Sequence, residues 1–577
     1  MNEIQSKLNI YFSIKNIAYA SLVLNLACIV LGIIYVAIPI YSITWDIFGI
    51  ILFVDLFANF LLVYVNSIKL NKTTIFGNRL NLLCYIYPVF VFLGMLFMVL
   101  GNLFISITYS NALIDNIGWY TLVYGSNFGI FAFGGIIAYL DVKNLDNREV
   151  WDIGIKGDRT QTKRTRTVKV ALKIVLAGIC FSTLMGGVYL SRLLLFPGYG
   201  VSFVFGIIPQ FAIAFAFIFL SATFLLIKTI SRRNWRKVFH YGFAILGLTL
   251  TIILLLPLFF VPYSINLMEG NFASSFGSNW RSNIPAEVES QYFMGSQFSF
   301  PEHFLGIAPK DCKIDIDKEF YSGEGIRLHY DAYYLEGGGD DLPGKNSIII
   351  KIHGGSWRYG DKGFANMMQV NKYLVAQGYV VFDIQYGLKE TEGGIIPTPD
   401  YVLGDFDIED MIRHIGIFTQ NLINNYSKLY NADLSSVFVM GGSAGGHLTC
   451  TTALAIASGS YNHIFGSGIT IKGMVPIYPA NNYSGLPGRD EFQKPENYFI
   501  TSTTFPCFIF QGMNDLGCAL VSQDIKDKYS EAGNDDCAIL WLPFAGHAND
   551  LYFSGHYNML FMYYLERFLY LCVNDLI

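Results

Sequence analysis

Ser443 lies at the centre of Gly441-Gly442-Ser443-Ala444-Gly445, a G-x-S-x-G pattern. That spacing suits a sharp strand-to-helix turn that lifts a serine hydroxyl into the open, with glycines where a side chain would strike the turn or a neighbouring strand. A chain with 55 glycines in 577 residues could nearly supply one such match by chance. Its setting adds weight, because the apolar run Val437-Phe438-Val439-Met440 precedes it and a helical stretch follows. A serine hydroxyl is a poor nucleophile until a base takes its proton. His547, in Phe544-Ala545-Gly546-His547, follows the last predicted strand and is the candidate base. Asp515 follows the strand before that one. A carboxylate there would hold the imidazole tautomer and stabilise the cation that forms. Asp550 is the substitute acid and His556 the substitute base; His556 is expected on the final helix.

Attack on an acyl carbon creates an oxyanion, which needs preorganised donors. His353-Gly354-Gly355-Ser356-Trp357 follows the predicted strand at Ile348–Ile352 and can turn backbone amides toward Ser443. The expected donors are the N–H groups of Gly354 or Gly355, with Ser356 as a further candidate, together with that of Ala444. His353 is read as a residue that pins this loop, Trp357 as a pocket wall and His447 as packing. No metal or cofactor is called for: the nine cysteines form no CxxC pair and no Cys/His spacing that suits zinc. Cys28, Cys84 and Cys180 lie in apolar runs. The other six could supply one or two disulfides in an oxidising compartment, but mostly unpaired, buried thiols are expected.

These residues need a scaffold. Alternating runs near Lys313–Phe320 and Ile326–Tyr334 predict two antiparallel strands. Strands are then predicted at Ser347–Ile352, Tyr379–Ile384, Ser436–Met440, Gly473–Tyr478, Cys507–Gln511 and Ala538–Leu542. Helices are predicted at Lys362–Gln377, Asp405–Tyr426, Ala444–Ala457 and His556–Leu569. Such alternation builds a mostly parallel sheet with helices on both faces, whose ligand sites lie at the carboxyl ends of the strands. The candidate residues follow strands directly.

The paired motifs His353-Gly354-Gly355-Ser356-Trp357-Arg358-Tyr359-Gly360-Asp361-Lys362 and Gly442-Ser443-Ala444-Gly445-Gly446-His447-Leu448 resemble the esterase/lipase branch of the α/β-hydrolases. That branch includes hormone-sensitive-lipase-like enzymes, and the chain is most similar to the bifunctional feruloyl and acetyl esterase-like group. The resemblance covers roughly residues 313–572. It implies an α/β-hydrolase fold, the chain order Ser443, Asp515, His547, no metal, and ester cleavage through an acyl-enzyme. It also implies a structural role for Asp405. Two departures stand out: Ser356 replaces a third glycine, and Ala548-Asn549 replaces the usual Gly-Phe after the histidine.

The apolar fraction of 53% is high for a soluble enzyme, and the excess lies before about residue 262. Seven stretches are long enough to cross a bilayer as helices: Ala18–Tyr41, Ile47–Val65, Leu82–Ile107, Trp119–Leu140, Val170–Leu190, Phe203–Ile227 and Tyr241–Val261. Trp45, Trp119, Tyr120, Tyr199 and Tyr263 fall where an interfacial aromatic belt belongs. The first stretch has a longer apolar core than a signal peptide and is read as an uncleaved helix. Loops rich in Lys and Arg (Lys69, Lys72 and Arg79; Lys143 to Lys169 with Lys163, Arg164 and Arg166; Lys228, Arg232, Arg233, Arg236 and Lys237) alternate with loops holding none or only Arg192. Lys7 and Lys15 mark the N-terminus. Basic loops stay on the cytoplasmic side, so the N-terminus is expected inside and everything beyond about Pro262 outside. Asp55, near the middle of the second span, is read either as part of a substrate or proton pathway, or as a carboxylic acid held neutral or hydrogen-bonded to a neighbouring helix through Asn25, Asn59 or Asn102. Pro88, Pro209 and Pro257 are read as tolerated kinks.

The expected organisation is therefore a multi-pass, all-α membrane domain over 1–262, a linker or docking segment over 263–312, and an α/β catalytic domain over 313–577. Expected partners are the lipid bilayer and a small-molecule, lipid or glycan ester; a net charge of −5 gives no reason to expect nucleic acid. The leading reading is an extracytoplasmic esterase or lipase in the cell membrane, acting on acyl, including acetyl, esters. Acyl transfer through the same three residues is the second reading. A transporter or sensor with a binding-only domain is the third, and it has no need of an ordered Ser, Asp and His. Oligomeric state is left open.

Overall fold

The structure, a computed structural model, describes residues 14–38, 43–72, 74–147, 150–151, 163–198, 205–230, 236–363, 367–391, 393–394 and 396–577. Lys7, Tyr41, Tyr199, Phe203, Arg232 and Arg233 lie outside the described residues.

Among the described residues, seven helical segments are long and apolar enough to cross a membrane. They are built on α1 (Ile14–Ala37), α2 (Ile43–Lys69), α3 (Ile75–Ser106), α4 (Leu113–Lys143), α5 (Lys163–Leu195), α6 (Ala212–Thr229, behind a tight 3-10 turn at Phe205–Phe211) and α7 (Arg236–Phe259). All seven predicted stretches fall on them. In hydrocarbon every backbone polar group must be paired internally, which is why long apolar runs become helices. Pro88 and Pro257 sit inside α3 and α7, and Pro209 in the tight turn.

Asp55 joins a polar cluster rather than standing alone. The amides of Asn25 and Asn59 exchange hydrogen bonds of 2.7 and 3.0 Å between α1 and α2, and Asn59 donates to Asp55 Oδ2 at 3.1 Å. Asn102 works elsewhere, donating to Phe304 O at 3.4 Å and to Tyr552 Oη at 3.3 Å.

The segment after the last span is ordered structure. Only Phe260 separates α7 from α8 (Val261–Phe276), with α9 (Ala286–Tyr292) and α10 (Phe300–Leu305) beyond. Its Ser, Gly and aromatic residues show no period in sequence because their partners lie in the other half of the chain. Asn271 and Ser275 donate to the carbonyls of Ile539 and Cys537 at 2.8 and 2.7 Å. Phe272 packs against Phe508 and Tyr564.

The C-terminal sheet comprises β1 (Lys313–Gly323), β2 (Ile326–Tyr334), β3 (Ser347–Ile352), β4 (Val380–Ile384), β5 (Asp433–Gly442), β6 (Ile471–Ile477), β7 (Cys507–Gly512) and β8 (Cys537–Leu542). Their spatial order is β1-β2-β4-β3-β5-β6-β7-β8, antiparallel through β2–β4 and parallel thereafter. Strands β3, β4 and β7 are buried along their whole length, as expected where helices cover both faces. The edge at β8 is capped by α8, which receives the two carbonyls named above and so blunts an open sheet edge.

The helices include α11 (Met368–Val375), α12 (Ile408–Asn421), α13 (Ala444–Ser458), α14 (Leu516–Glu531) and α15 (His556–Val573). Two predicted helices are shorter than expected. The one predicted over Lys362–Gln377 is helical over Met368–Val375. The one predicted from Asp405 begins at Ile408, because Asp407 caps it in a reciprocal box with Asp410, and it widens into a π turn at Leu422–Tyr426. Asp405 instead pairs with Lys389 at the surface. Helix α14 was not anticipated: the polar residues along it leave only Cys518, Ser522, Ile525 and Tyr529 buried. All nine cysteines are unpaired, and all but Cys312 are buried.

Candidate active site

Ser443 sits between the end of β5 and the start of α13 with φ 58° and ψ −119°, a backbone conformation that L residues avoid. The flanking residues explain how the turn closes. A Cβ on Gly441 would lie 2.3 Å from Ile352 O, and one on Gly445 would lie 2.1 Å from the same oxygen. Glycine is required at both, and the approach presses the elbow against β3. The Ser443 amide donates to Ile477 O at 2.9 Å, tying the turn to β6.

His547 comes from the loop after β8, and Asp515 is the residue that precedes α14, beyond the end of β7. His547 Nε2 lies 2.9 Å from Ser443 Oγ, and Nδ1 lies 2.7 Å from Asp515 Oδ2. A carboxylate can only accept, so Nδ1 carries the proton of that contact and Nε2 accepts from the serine hydroxyl. The Asp515 side chain is 1% exposed and that of His547 12%. The relay is therefore shielded at the acid and reachable at the base. Asp515 also stands at the N-terminus of α14, where the helix dipole favours a negative charge.

The substitute residues lie elsewhere. Asp550 accepts a hydrogen bond of 2.6 Å from Tyr478 Oη, and burial pushes its carboxyl above the usual range. His556 begins α15, fully buried, with its ring 4.0 Å from that of Tyr557. Burial holds its imidazole far below the usual range.

The His353–Lys362 loop runs beside the nucleophile. A Cβ on Gly354 would lie 3.4 Å from Ser443 Cβ and 2.6 Å from Gly442 O, so only glycine lets the loop approach this closely. Gly355 has φ 123°, and Ser356 and Trp357 follow with φ 55° and 61°. This turn is closed by the amides of Arg358 and Tyr359 donating to Gly355 O at 3.1 and 2.9 Å. His353 Nδ1 donates to Gly354 O at 2.8 Å while its ring stacks on Tyr386 at 4.6 Å. Burial lowers its pKa, and the ring pins the loop through these contacts. Ala444 is the first residue of α13, so its N–H has no acceptor within that helix. Trp357 packs edge-on against His447, whose Nε2 donates to Phe492 O at 2.6 Å.

Residues 341–490 match the BD-FAE family. The C-terminal region is an α/β-hydrolase domain of the esterase type. Among solved structures, this esterase domain is similar to an esterase from Pyrobaculum calidifontis, at 18% identity over 44% of this chain and 85% of the other, with a TM-score of 0.33. It is similar to esterase B from Lactobacillus rhamnosis, at 20% identity over 46% and 90%, TM-score 0.34. It is also similar to Thermogutta terrifontis esterase 2, at 16% identity over 45% and 91%, TM-score 0.33. No curated protein matches the chain.

Sequence reasoning missed several neighbours of this candidate site. The Tyr478 ring lies 4.6 Å from that of His547, and its hydroxyl is anchored on Asp550. Cys518 Sγ lies 3.8 Å from His547 Nδ1, and burial pushes its thiol up. Asp515, Cys518 and His547 are also the one group among the described residues whose atoms could converge on a metal ion. The acid and base of that group already bond each other. Spacing in the sequence carries no signal for Tyr478, since it meets His547 only through the order of β6, β7 and β8.

Proposed function

We propose that the chain is a membrane-embedded serine hydrolase that cleaves carboxylic esters through Ser443, His547 and Asp515. The observation that carries this reading is the unbroken relay Asp515–His547–Ser443, with contacts of 2.7 and 2.9 Å at the carboxyl ends of parallel strands. Ser443 Oγ attacks the acyl carbon as His547 Nε2 takes its proton, and Asp515 stabilises the imidazolium. The amides of Gly354 or Gly355 and of Ala444 receive the oxyanion. His547 then protonates the departing alcohol, leaving an acyl-enzyme, and water activated by the same imidazole releases the acid. The substrates are acyl esters of small molecules, lipids or glycans, with acetyl within the range.

The catalytic domain works on the outer face of the membrane. Support comes from where the two halves meet. Contacts from the membrane domain to the hydrolase domain come from Thr108, Tyr109, Asn111, Leu194, Gly206 and Gln210, all at the end whose loops hold at most Arg192. Lys69, Lys72, Lys143 and Lys228 mark the opposite helix ends. Intact cells treated with a membrane-impermeant fluorophosphonate should label the wild-type chain and not Ser443→Ala. Equal labelling of both would overturn the nucleophile, and labelling only after lysis would overturn the orientation.

A further inference from the structure

The loops that carry the acid and the base are held by the membrane domain. Asn514, next to Asp515, donates through Nδ2 to Leu194 O at 2.9 Å. Leu194 lies in the last turn of α5, where carbonyls lack a partner within the helix. The Asn514 amide also donates to Ala545 O at 2.8 Å, linking the acid loop to the base loop. The base loop is gripped by the tight turn that leads into α6. Asn549 Nδ2 donates to both Gly206 O and His547 O, and Gln210 Nε2 donates to Ala548 O at 3.2 Å.

The backbones themselves touch. A Cβ on Gly206 would lie 2.9 Å from His547 N, and one on Gly546 would lie 2.6 Å from Gly206 Cα. The base loop is bent to meet this turn, with Phe544 and Ala548 at φ 63° and 58°. Ser443, by contrast, is held by bonds inside the hydrolase domain, its amide to Ile477 O and its carbonyl from Ala480 N.

We infer that the turn Phe205–Phe211 and the end of α5 are positioning elements of the active site. Gly206 and Gln210 set where His547 stands relative to Ser443, and Leu194 O, through Asn514, sets Asp515. This inference rests on the reading of Ser443, His547 and Asp515 as the catalytic relay. It assigns the fifth and sixth spans a part in the chemistry: the nucleophile belongs to one domain, while its base is aligned by both. A base displaced by an ångström can cost about a hundredfold in rate.

The test uses the full-length protein in lipid nanodiscs. Gly206→Ala places one methyl against the His547 amide, and Gln210→Leu removes the Nε2 donor that bonds Ala548 O and, within the turn, Ile207 O. Gly178→Ala, in α5 with nothing within 4 Å of its added Cβ, is the control. Fluorophosphonate titration counts competent sites, and the labelling rate and p-nitrophenyl acetate turnover are then expressed per site.

Both variants should lose about tenfold or more in per-site kcat and in labelling rate, with KM within about twofold, and the control should match wild type. A reduced number of sites that each react at the wild-type rate would mean that the turn serves folding alone, and would overturn the inference. Where Gly206→Ala lowers the yield, Gln210→Leu carries the same comparison. Failure of the underlying reading is separate, since Ser443→Ala would then label like wild type.

Discussion

Replacing Asp515 by asparagine removes one charge and almost no volume from a side chain that is 1% exposed. The carboxylate faces Nδ1 of His547 at 2.7 Å, so when Nε2 takes the serine proton the two charge centres stand about 4 Å apart. With an effective dielectric of about 20 their attraction is about 4 kcal/mol, which corresponds to about a thousandfold in kcat. Asparagine also presents a donor that turns the imidazole toward the wrong tautomer, and loss of the acid in such a relay has cost about ten-thousandfold elsewhere. The expected fall for Asp515→Asn is therefore three to four decades, read as kcat for p-nitrophenyl acetate with sites counted by titration. Stability should change little, which a thermal melt checks. Retention of kcat within about tenfold would refute this reasoning. In that case Asp550→Asn should abolish activity, since Asp550 is the other carboxylate near His547, now bonded to Tyr478 at 2.6 Å.

Gly445→Ala should be destabilising and inactive, because its Cβ would fall 2.1 Å from Ile352 O; a lowering of about 1–3 kcal/mol is expected from forced overpacking, and an unchanged melting temperature would contradict it. Burial raises the Glu496 carboxyl from 4.5 to about 7, with Asn481 Nδ2 donating to it at 2.6 Å. An acid whose folded pKa is raised releases its proton more readily when unfolded, so wild type loses stability as pH climbs from about 4.5 to about 7 and stays penalised above that. Glu496→Gln should therefore be more stable than wild type at pH 8, by about 3 kcal/mol, with the advantage fading toward pH 4.5; an advantage confined to acid pH would reverse the argument. Thiol titration should find nine reactive groups after denaturation without reductant and at most Cys312 before it.

Much of the site was legible because the relevant signals are local. The elbow needs glycines within two residues of Ser443, and the run Val437–Met440 announces the strand that feeds it. Asp515 and His547 could be ordered because each follows a short apolar run. The ends of α11 and α12, and α14 as a whole, carry weaker local signals. The reciprocal box of Asp407 with Asp410 decides where α12 starts, and α14 buries too narrow a stripe to stand out from its polar neighbours.

The sequence by itself determined the seven apolar spans, the alternating charge of their loops, and which serine, acid and base follow which strands, since each depends on periodicity or spacing over a few residues. Only the tertiary structure decided that Asn25 bonds Asn59 beside Asp55, that residues 261–305 dock on the hydrolase domain, and that Gly206 touches the backbone of His547. Those contacts join residues tens to hundreds of positions apart. Each is set by how helices and strands pack, and close packing between distant elements leaves no period in either partner to read.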